Sequence, residues 1–311
     1  MSKVQRFWRN VYFFLLSGKA KKRIDHLESL QYSMMKELLL LKYTEKAKGD
    51  KDLQLALDYL QRTGDFCMIP YDLKGERTKA DCGFDKTCQL PFVMHCGKKL
   101  YFPKGWKESR IAYAYSDYVD SESLTGNGLK VCSPHQYQSE EFKIEDGDVL
   151  IDVGCAEALF ALDVIEKVSK VYLIENDEQW YRPLELTFAP WKDKVVILHK
   201  TLSANDSKGT VSLKSLLEQE KEECPTFVKM DIEGGELPSL QGCQAFLKTI
   251  SQKLKIACCV YHRVNDAEMI EQLMKTCGFS VSYSSGYVLT DFLDESMLPS
   301  LRKGVIRAVK N

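Results

Sequence analysis

After Asp146-Gly147-Asp148 the sequence settles into one alternation that few folds can absorb. The segments VLIDVG, KVYLIEN, KVVILHK, TFVKMDIEGGE and LKIACCVYH carry the short apolar runs of buried strands. Helical spacing follows at 158–168, at 179–188, from 237 onward and at 266–277. Strands separated by helices of this length build βαβ units and a mostly parallel, doubly wound α/β sheet. FSVSYSSGYVLT (279–290) reads as a hairpin-like pair, which adds one antiparallel edge strand. In such a sheet the ligand sits outside the carboxyl ends of the strands, where strand order reverses.

The first strand ends at Asp152-Val153-Gly154, and the glycine lets backbone approach a ligand closely. A dinucleotide site wants G-x-G-x-x-G, so that pyrophosphate reaches a helix N-terminus. The run here is Gly154, Cys155, Ala156, Glu157, Ala158, with no second or third glycine and an acid that would repel phosphate. The second strand ends at Glu175-Asn176, where an acid suits the hydroxyls of a ribose. An acid closing each of two consecutive strands, without a phosphate cradle, describes the charged sulfonium nucleoside S-adenosylmethionine. Asp152, Gly154, Cys155, Ala156, Glu157, Glu175 and Asn176 are therefore the candidate cofactor-binding residues.

Strand four ends in Asp231, Glu233 and Glu236, and strand five in His262, all at the same sheet edge. Methyl transfer is an in-line displacement in which the protein positions an acceptor and removes its proton. His262 is the candidate base, with Asp231 and Glu233 orienting it or the acceptor. The same acids also suit helix caps and ion pairs with Lys229 or Arg263. A divalent ion on these acids is an alternative, not favoured, and no metal ligand is assigned. SPHQY, just before the sheet, would cover the cleft, making His135 and Tyr137, with Glu236, candidate substrate contacts.

The amino-terminal half differs in texture. Residues 1–63 read as a helical extension, and 64–142 as an irregular or β cap, or a substrate-binding segment. Residues 143–311 form the domain just described. Val4, Phe7, Trp8, Val11, Tyr12 and Leu15 mark a first helix, suited to a membrane surface or to packing on protein. After a basic link at 19–23, Leu27, Leu30, Met34, Leu38 and Leu41 mark a second apolar stripe. A third helix runs from an Asp50 cap to Gly64. KKLYFPKGW and RIAYAYSDYV read as strand-like, with Tyr113, Tyr115 and Tyr118 available to stack on sugar rings or to lie half-buried.

The formal net charge of -1 gives no electrostatic footprint for nucleic acid. VYFFLL is too short to span a bilayer. Eleven scattered cysteines read as reduced cytoplasmic thiols. Cys82, Cys88 and Cys96, with His95 and Cys67, lack the paired C-x2-C knuckles of a zinc site.

The segments DVGCAEALFAL, VYLIEND, FVKMDIEGGELPSLQG and CVYHRVNDAEMIEQLMKTCGFSV resemble the FkbM-type methyltransferases across 143–287. The resemblance implies a class I methyltransferase fold and S-adenosylmethionine-dependent transfer to oxygen, often a saccharide hydroxyl of a glycan or glycolipid precursor. It carries Asp152, Gly154 and Glu175 onto the family's cofactor positions, and Asp231, Glu233, Gly234 and Glu236 onto its fourth-strand motif. Where the family often has a polar, asparagine-like residue and a glycine, this chain has Ala156 and Ala158. The expected setting is cytoplasmic, with peripheral membrane contact through the first helix or self-association through the amino-terminal helices as options. Competing readings are an NAD-type oxidoreductase, disfavoured by the missing glycines, and a non-catalytic interaction module on the same fold.

Overall fold

The computed structural model describes residues 18–64, 66–122, 133–218, 225–290 and 299–311. The expected first helix at 4–15 lies outside them. The chain forms two compact units, Met1–Pro70 with Leu289–Ser300, and Tyr71–Val288 with Leu301–Asn311. Among the described residues no helix is long and apolar enough to cross a membrane.

In the first unit α1 spans Gly18–Ala47 and α2 spans Lys51–Thr63. The Asp50 side chain accepts the Leu53 N–H, and Gly64 closes α2 at φ 66°. Leu53, Leu57 and Leu60 are buried, as their spacing predicts. Two expectations for α1 fail. The basic stretch at 19–23 is helix rather than link, since lysine and arginine are good helix formers and no proline interrupts them. The stripe Leu27, Leu30, Met34, Leu38 and Leu41 is 43–78% exposed, while Met35, Leu39, Tyr43 and Ala47 are buried. The four consecutive leucines 38–41 place apolar side chains all round the helix, so periodicity alone cannot choose the buried face.

In the second unit β1 (Cys82–Asp85), β2 (Leu90–His95) and β3 (Lys98–Tyr101) form an antiparallel meander, followed by α3 (Glu108–Glu122). RIAYAYSDYV is thus helix, not strand. Tyr113 and Tyr115 alternate with alanines like a strand, but Ile111 and Tyr115 are buried at i, i+4 while Tyr113 is 65% exposed.

The main sheet contains β4 (Val149–Val153), β5 (Lys170–Ile174), β6 (Val195–Leu198), β9 (Phe227–Met230), β10 (Leu254–Cys259), β11 (Ser280–Tyr283) and β14 (Val305–Lys310). The short strands β7 (Thr201–Ser203) and β8 (Thr210–Ser212) pair separately, as do β12 (Tyr287–Thr290) and β13 (Ser300–Lys303). The order β11-β14-β10-β9-β4-β5-β6 is parallel from β10 to β6. Toward the other edge β14 runs antiparallel to both β10 and β11. The hairpin expected at 279–290 does not form, because β11 takes β14 as its partner and β12 joins β13.

Crossovers are α4 (Leu159–Val164), α5 (Glu178–Thr187), α6 (Leu213–Glu218), α7 (Glu236–Thr249) and α8 (Asp266–Thr276). α4 is shorter than the expected 158–168, because the chain then turns so that Ser169 N–H bonds to Asp148 O at 2.9 Å. Side-chain alternation sends Leu150, Leu173 and Cys259 to one buried face and Ile151, Ile174 and Cys258 to the other. Strand order reverses between β4 and β9, which leaves a crevice beyond their carboxyl ends.

Candidate active site

Beyond those ends lies a cavity of about 510 Å³ within the second unit, a size suited to a small-molecule ligand. Pairing in β4 and β9 sets Asp152 opposite Lys229, and Asp231 N–H bonds back to Val153 O at 3.1 Å. Gly154 closes β4 at φ 65°, and a Cβ there would lie 1.9 Å from Asp231 O. Only glycine lets the two strand ends meet this closely.

The loop after Gly154 is tied to β5. Glu175 accepts N–H bonds from Ala156, Asn176 and Asp177, each at 2.8 Å. Ala156 and Ala158 sit at φ 45° and 60°, the left-handed region that an L side chain with a Cβ enters only with strain. The asparagine and glycine expected by resemblance are the residues that tolerate it.

Asp152 is fully buried, with Lys229 Nζ 3.1 Å away as its counter-ion, a pairing the sequence left open. Both Asp152 oxygens otherwise lack a hydrogen-bond partner. Lys229 also donates to Gly154 O at 2.8 Å and lies over the Tyr137 ring. Burial works against the ammonium, but the carboxylates of Asp152, Asp231 and Glu122 outweigh it and hold its pKa above the usual lysine range. Glu157 and Glu122 face the same cavity. Burial pushes Glu157 up to about 7, with Asp152 adding repulsion. Burial and then the charge of Glu157 lift Glu122 well above the carboxylate range.

Asp231 lies between two imidazoles. His135 Nε2 is 3.2 Å from Oδ2, and Tyr137 OH donates to the same oxygen at 3.0 Å. His262 Nε2 is 3.3 Å from Oδ1. Burial opposes ionisation of Asp231, yet its bond from His135 and the charges of His135, Lys229 and His262 keep its pKa below the carboxylate range. Behind it His262 Nδ1 is 2.9 Å from Oε1 of the fully buried Glu236, which also accepts Ile232 N–H at 2.8 Å. Burial lowers the His262 pKa, but Glu236 and Asp231 raise it more, and it ends above the ordinary value.

Asp152, Gly154, Cys155, Ala156, Glu157, Glu175, Asn176, His135, Tyr137, Asp231 and Glu233 all line the cavity. His262 and Glu236 are not among its lining residues; they form the layer behind Asp231. Glu233, its side chain 92% exposed, stands at the rim. Tyr118, one of the three tyrosines read as able to stack on a sugar ring, also lines the cavity; Glu122 and Trp180, which sequence reasoning missed, line it too. Reading 110–119 as strand hid Glu122 one helical turn beyond Tyr118; Ile111, Tyr115, Tyr118 and Glu122 follow helical spacing and were the available signal.

The cavity fits S-adenosylmethionine. Its donor set is carboxylate-rich, Asp152 keeps one buried oxygen, Oδ2, without a partner, and the strand-end loop has no phosphate cradle.

The family model of the methyltransferase FkbM domain matches residues 116–281, more than half the chain. None of the curated proteins matches it in sequence. Among solved structures, a methyltransferase FkbM from Methylobacillus flagellatus KT is 16% identical, over 64% of this chain and 54% of that one, at a TM-score of 0.42. The chain therefore spans about half the length of that protein. A precorrin-6y C5,15-methyltransferase from Geobacter metallireducens GS-15 is 12% identical, over 54% and 83%, at 0.36. Magnesium protoporphyrin IX methyltransferase (ChlM) from Synechocystis PCC 6803, with bound SAM, is 10% identical, over 53% and 71%, at 0.34.

Proposed function

The chain belongs to the FkbM methyltransferase family, and we propose that it transfers the methyl of S-adenosylmethionine to a hydroxyl of a saccharide or glycolipid precursor. Its mostly parallel seven-stranded sheet with antiparallel β14 is the class I methyltransferase fold. One observation carries the reading: Asp231, at the switch point, is gripped by His135 and Tyr137 within the cavity that the Gly154 loop also lines.

The cofactor, when bound, supplies a methyl carbon on a positively charged sulfur. Asp152, Glu157 and Glu175 would hold it, the first two by charge and the third by fixing the loop and meeting ribose hydroxyls. The acceptor side suits a neutral hydroxyl-bearing ring, because acids line it and Tyr118 and Trp180 offer aromatic surface. Phosphate beside the ionised Asp231 would be repelled.

His135, rather than His262, is the proposed proton acceptor, since it lines the cavity. With Nε2–H directed at Asp231, Nδ1, which lies 3.6 Å from Glu122 Oε1, is the nitrogen left to take the hydroxyl proton. Asp231 then balances the imidazolium. His262 and Glu236 hold Asp231 from behind. Purified protein incubated with labelled methyl donor and neutral saccharide acceptors should label an oxygen. His135→Ala should cut turnover by about 100-fold or more with cofactor affinity kept. Unchanged turnover would remove His135 as base, and label on nitrogen or carbon would remove the hydroxyl acceptor.

A further inference from the structure

Away from the cavity, one group of ligand-bearing side chains has no part in methyl transfer. We propose that His95, Cys96 and Asp163 form a zinc site that ties the β2–β3 hairpin to α4. One ligand atom from each lies within 4.8 Å of the others, close to the roughly 3.3–4 Å separations around a tetrahedral zinc with bonds of about 2.0–2.3 Å. Of the cysteines around His95 in the sequence, Cys96 alone joins this cluster among the described residues.

A tyrosine already fixes the imidazole. His95 is 5% exposed, and its Nδ1 lies 2.9 Å from Tyr115 OH. Nδ1–H donating to that phenol oxygen leaves the Nε2 lone pair for a metal, the usual arrangement for a ligating imidazole. Nε2 now lies 2.5 Å from Asp163 Oδ1, a hydrogen bond with one proton between the two atoms. Zinc takes that proton's place and the cysteine thiol's, both protons leaving to water while the three lone pairs bond the metal. Asp163 is 39% exposed and Cys96 is exposed, so the ion enters from solvent and water completes the coordination.

The turn supports the assignment. His95 pairs with Lys98, leaving Cys96-Gly97 as a two-residue loop with φ 48° and 80°. Asparagine, aspartate or glycine is favoured at its first position, and cysteine is not. Here the conformation sets the thiol beside His95 and opposite α4. A nitrogen, a sulfur and a carboxylate oxygen together suit zinc better than calcium or magnesium.

The full chain, stripped with a chelator, is titrated with zinc against a chromophoric chelator, and with cobalt(II) by absorption. Wild type should bind one zinc and show a thiolate-to-cobalt charge-transfer band. Cys96→Ser, at an exposed position, should lose the band and weaken zinc binding by at least about tenfold. Tyr115→Phe should weaken it by about 10- to 100-fold. No zinc retained by wild type, or an unchanged band in Cys96→Ser, overturns the site; the latter would move the ion to the Cys259 cluster beside Asp231.

Discussion

At Ala156 and Ala158 two opposing terms decide what substitution does. Left-handed backbone costs an L residue about 1–2 kcal/mol, and glycine removes that strain at an entropic cost of about 0.5–1 kcal/mol. Ala156 is only partly buried, so Ala156→Gly should stabilise by up to about 1 kcal/mol. Ala158 is 1% exposed and packs in the core, so its methyl is worth about 0.8 kcal/mol more, and Ala158→Gly should be close to neutral. Urea midpoints of the two variants check the contrast, and equal shifts would contradict it. Glu157 makes a second residue-scale prediction. Its carboxyl, held up to about 7 by burial, is protonated in much of the cofactor-free protein near neutrality. A cation in the cavity favours the ionised form, so S-adenosylmethionine affinity should rise several-fold from about pH 6 to about pH 8. Calorimetry on Glu157→Gln should show a flatter profile. Strand-end acids were legible in the sequence because each closes a recognisable apolar run. Their division of labour was not, since the pairing of Asp152 with Lys229 and of Asp231 with His135 joins distant segments.

Among the elements, the five parallel strands could be read as continuous apolar runs. Burial on both faces explains this for β4, β5, β9 and β10, while the edge strand β6 is half-buried throughout. The place of β14 could not, since its insertion between β10 and β11 is a long-range pairing that no local pattern encodes. β14 and the residues that flank it and β11 also hold the site segment. Gly304 packs so closely that a Cβ there would lie 1.9 Å from Pro134 O, while Ser284 Oγ donates to the same carbonyl at 2.6 Å. Arg307 donates to Gln136 O at 2.6 Å. Gly304→Ala must therefore push the 133–137 segment outward, costing about 1–3 kcal/mol by overpacking and moving His135 away from Asp231. Ser284→Ala should cost only about 1 kcal/mol. Turnover measured beside stability separates them: Gly304→Ala should lose most activity at temperatures where it remains folded. Retained activity would show that the segment's position does not matter to the reaction.

Across the whole molecule, ionisable groups pull stability in two directions with pH. Glu145 is held down to about 2 by hydrogen bonds from Lys253 and Lys255. Asp85 is held below the carboxylate range by Lys99, then Tyr101. A lowered carboxyl contributes stability that is complete above its unfolded value, near 4.5 for Glu145, and is lost as pH falls toward 2. Asp231 adds to this acid limb from inside the site. Glu157 has the opposite sign. Raised by burial, it favours the fold below 4.5 and withdraws that support as pH rises through about 7. His262 works in the same direction, its raised pKa giving support that is full below 6.5 and lost above its folded value. Stability of the cofactor-free chain should therefore rise from about pH 3 to about pH 5 and decline toward about pH 8. Trp106, Trp180 and Trp191 report on the larger unit, so urea midpoints followed by tryptophan emission trace the curve. Salt at about 1 M should flatten the part of the acid limb due to the exposed Glu145 pair with Lys253, affect the half-buried Asp85 pair less, and spare the alkaline limb, whose groups are buried. Glu157→Gln should remove part of that alkaline decline, and Glu122, raised by the same burial, carries another part. If wild-type stability instead kept climbing from about pH 5 to about pH 8, Glu157 would be ionised throughout, and the cavity would hold a fixed negative charge before any cofactor arrives.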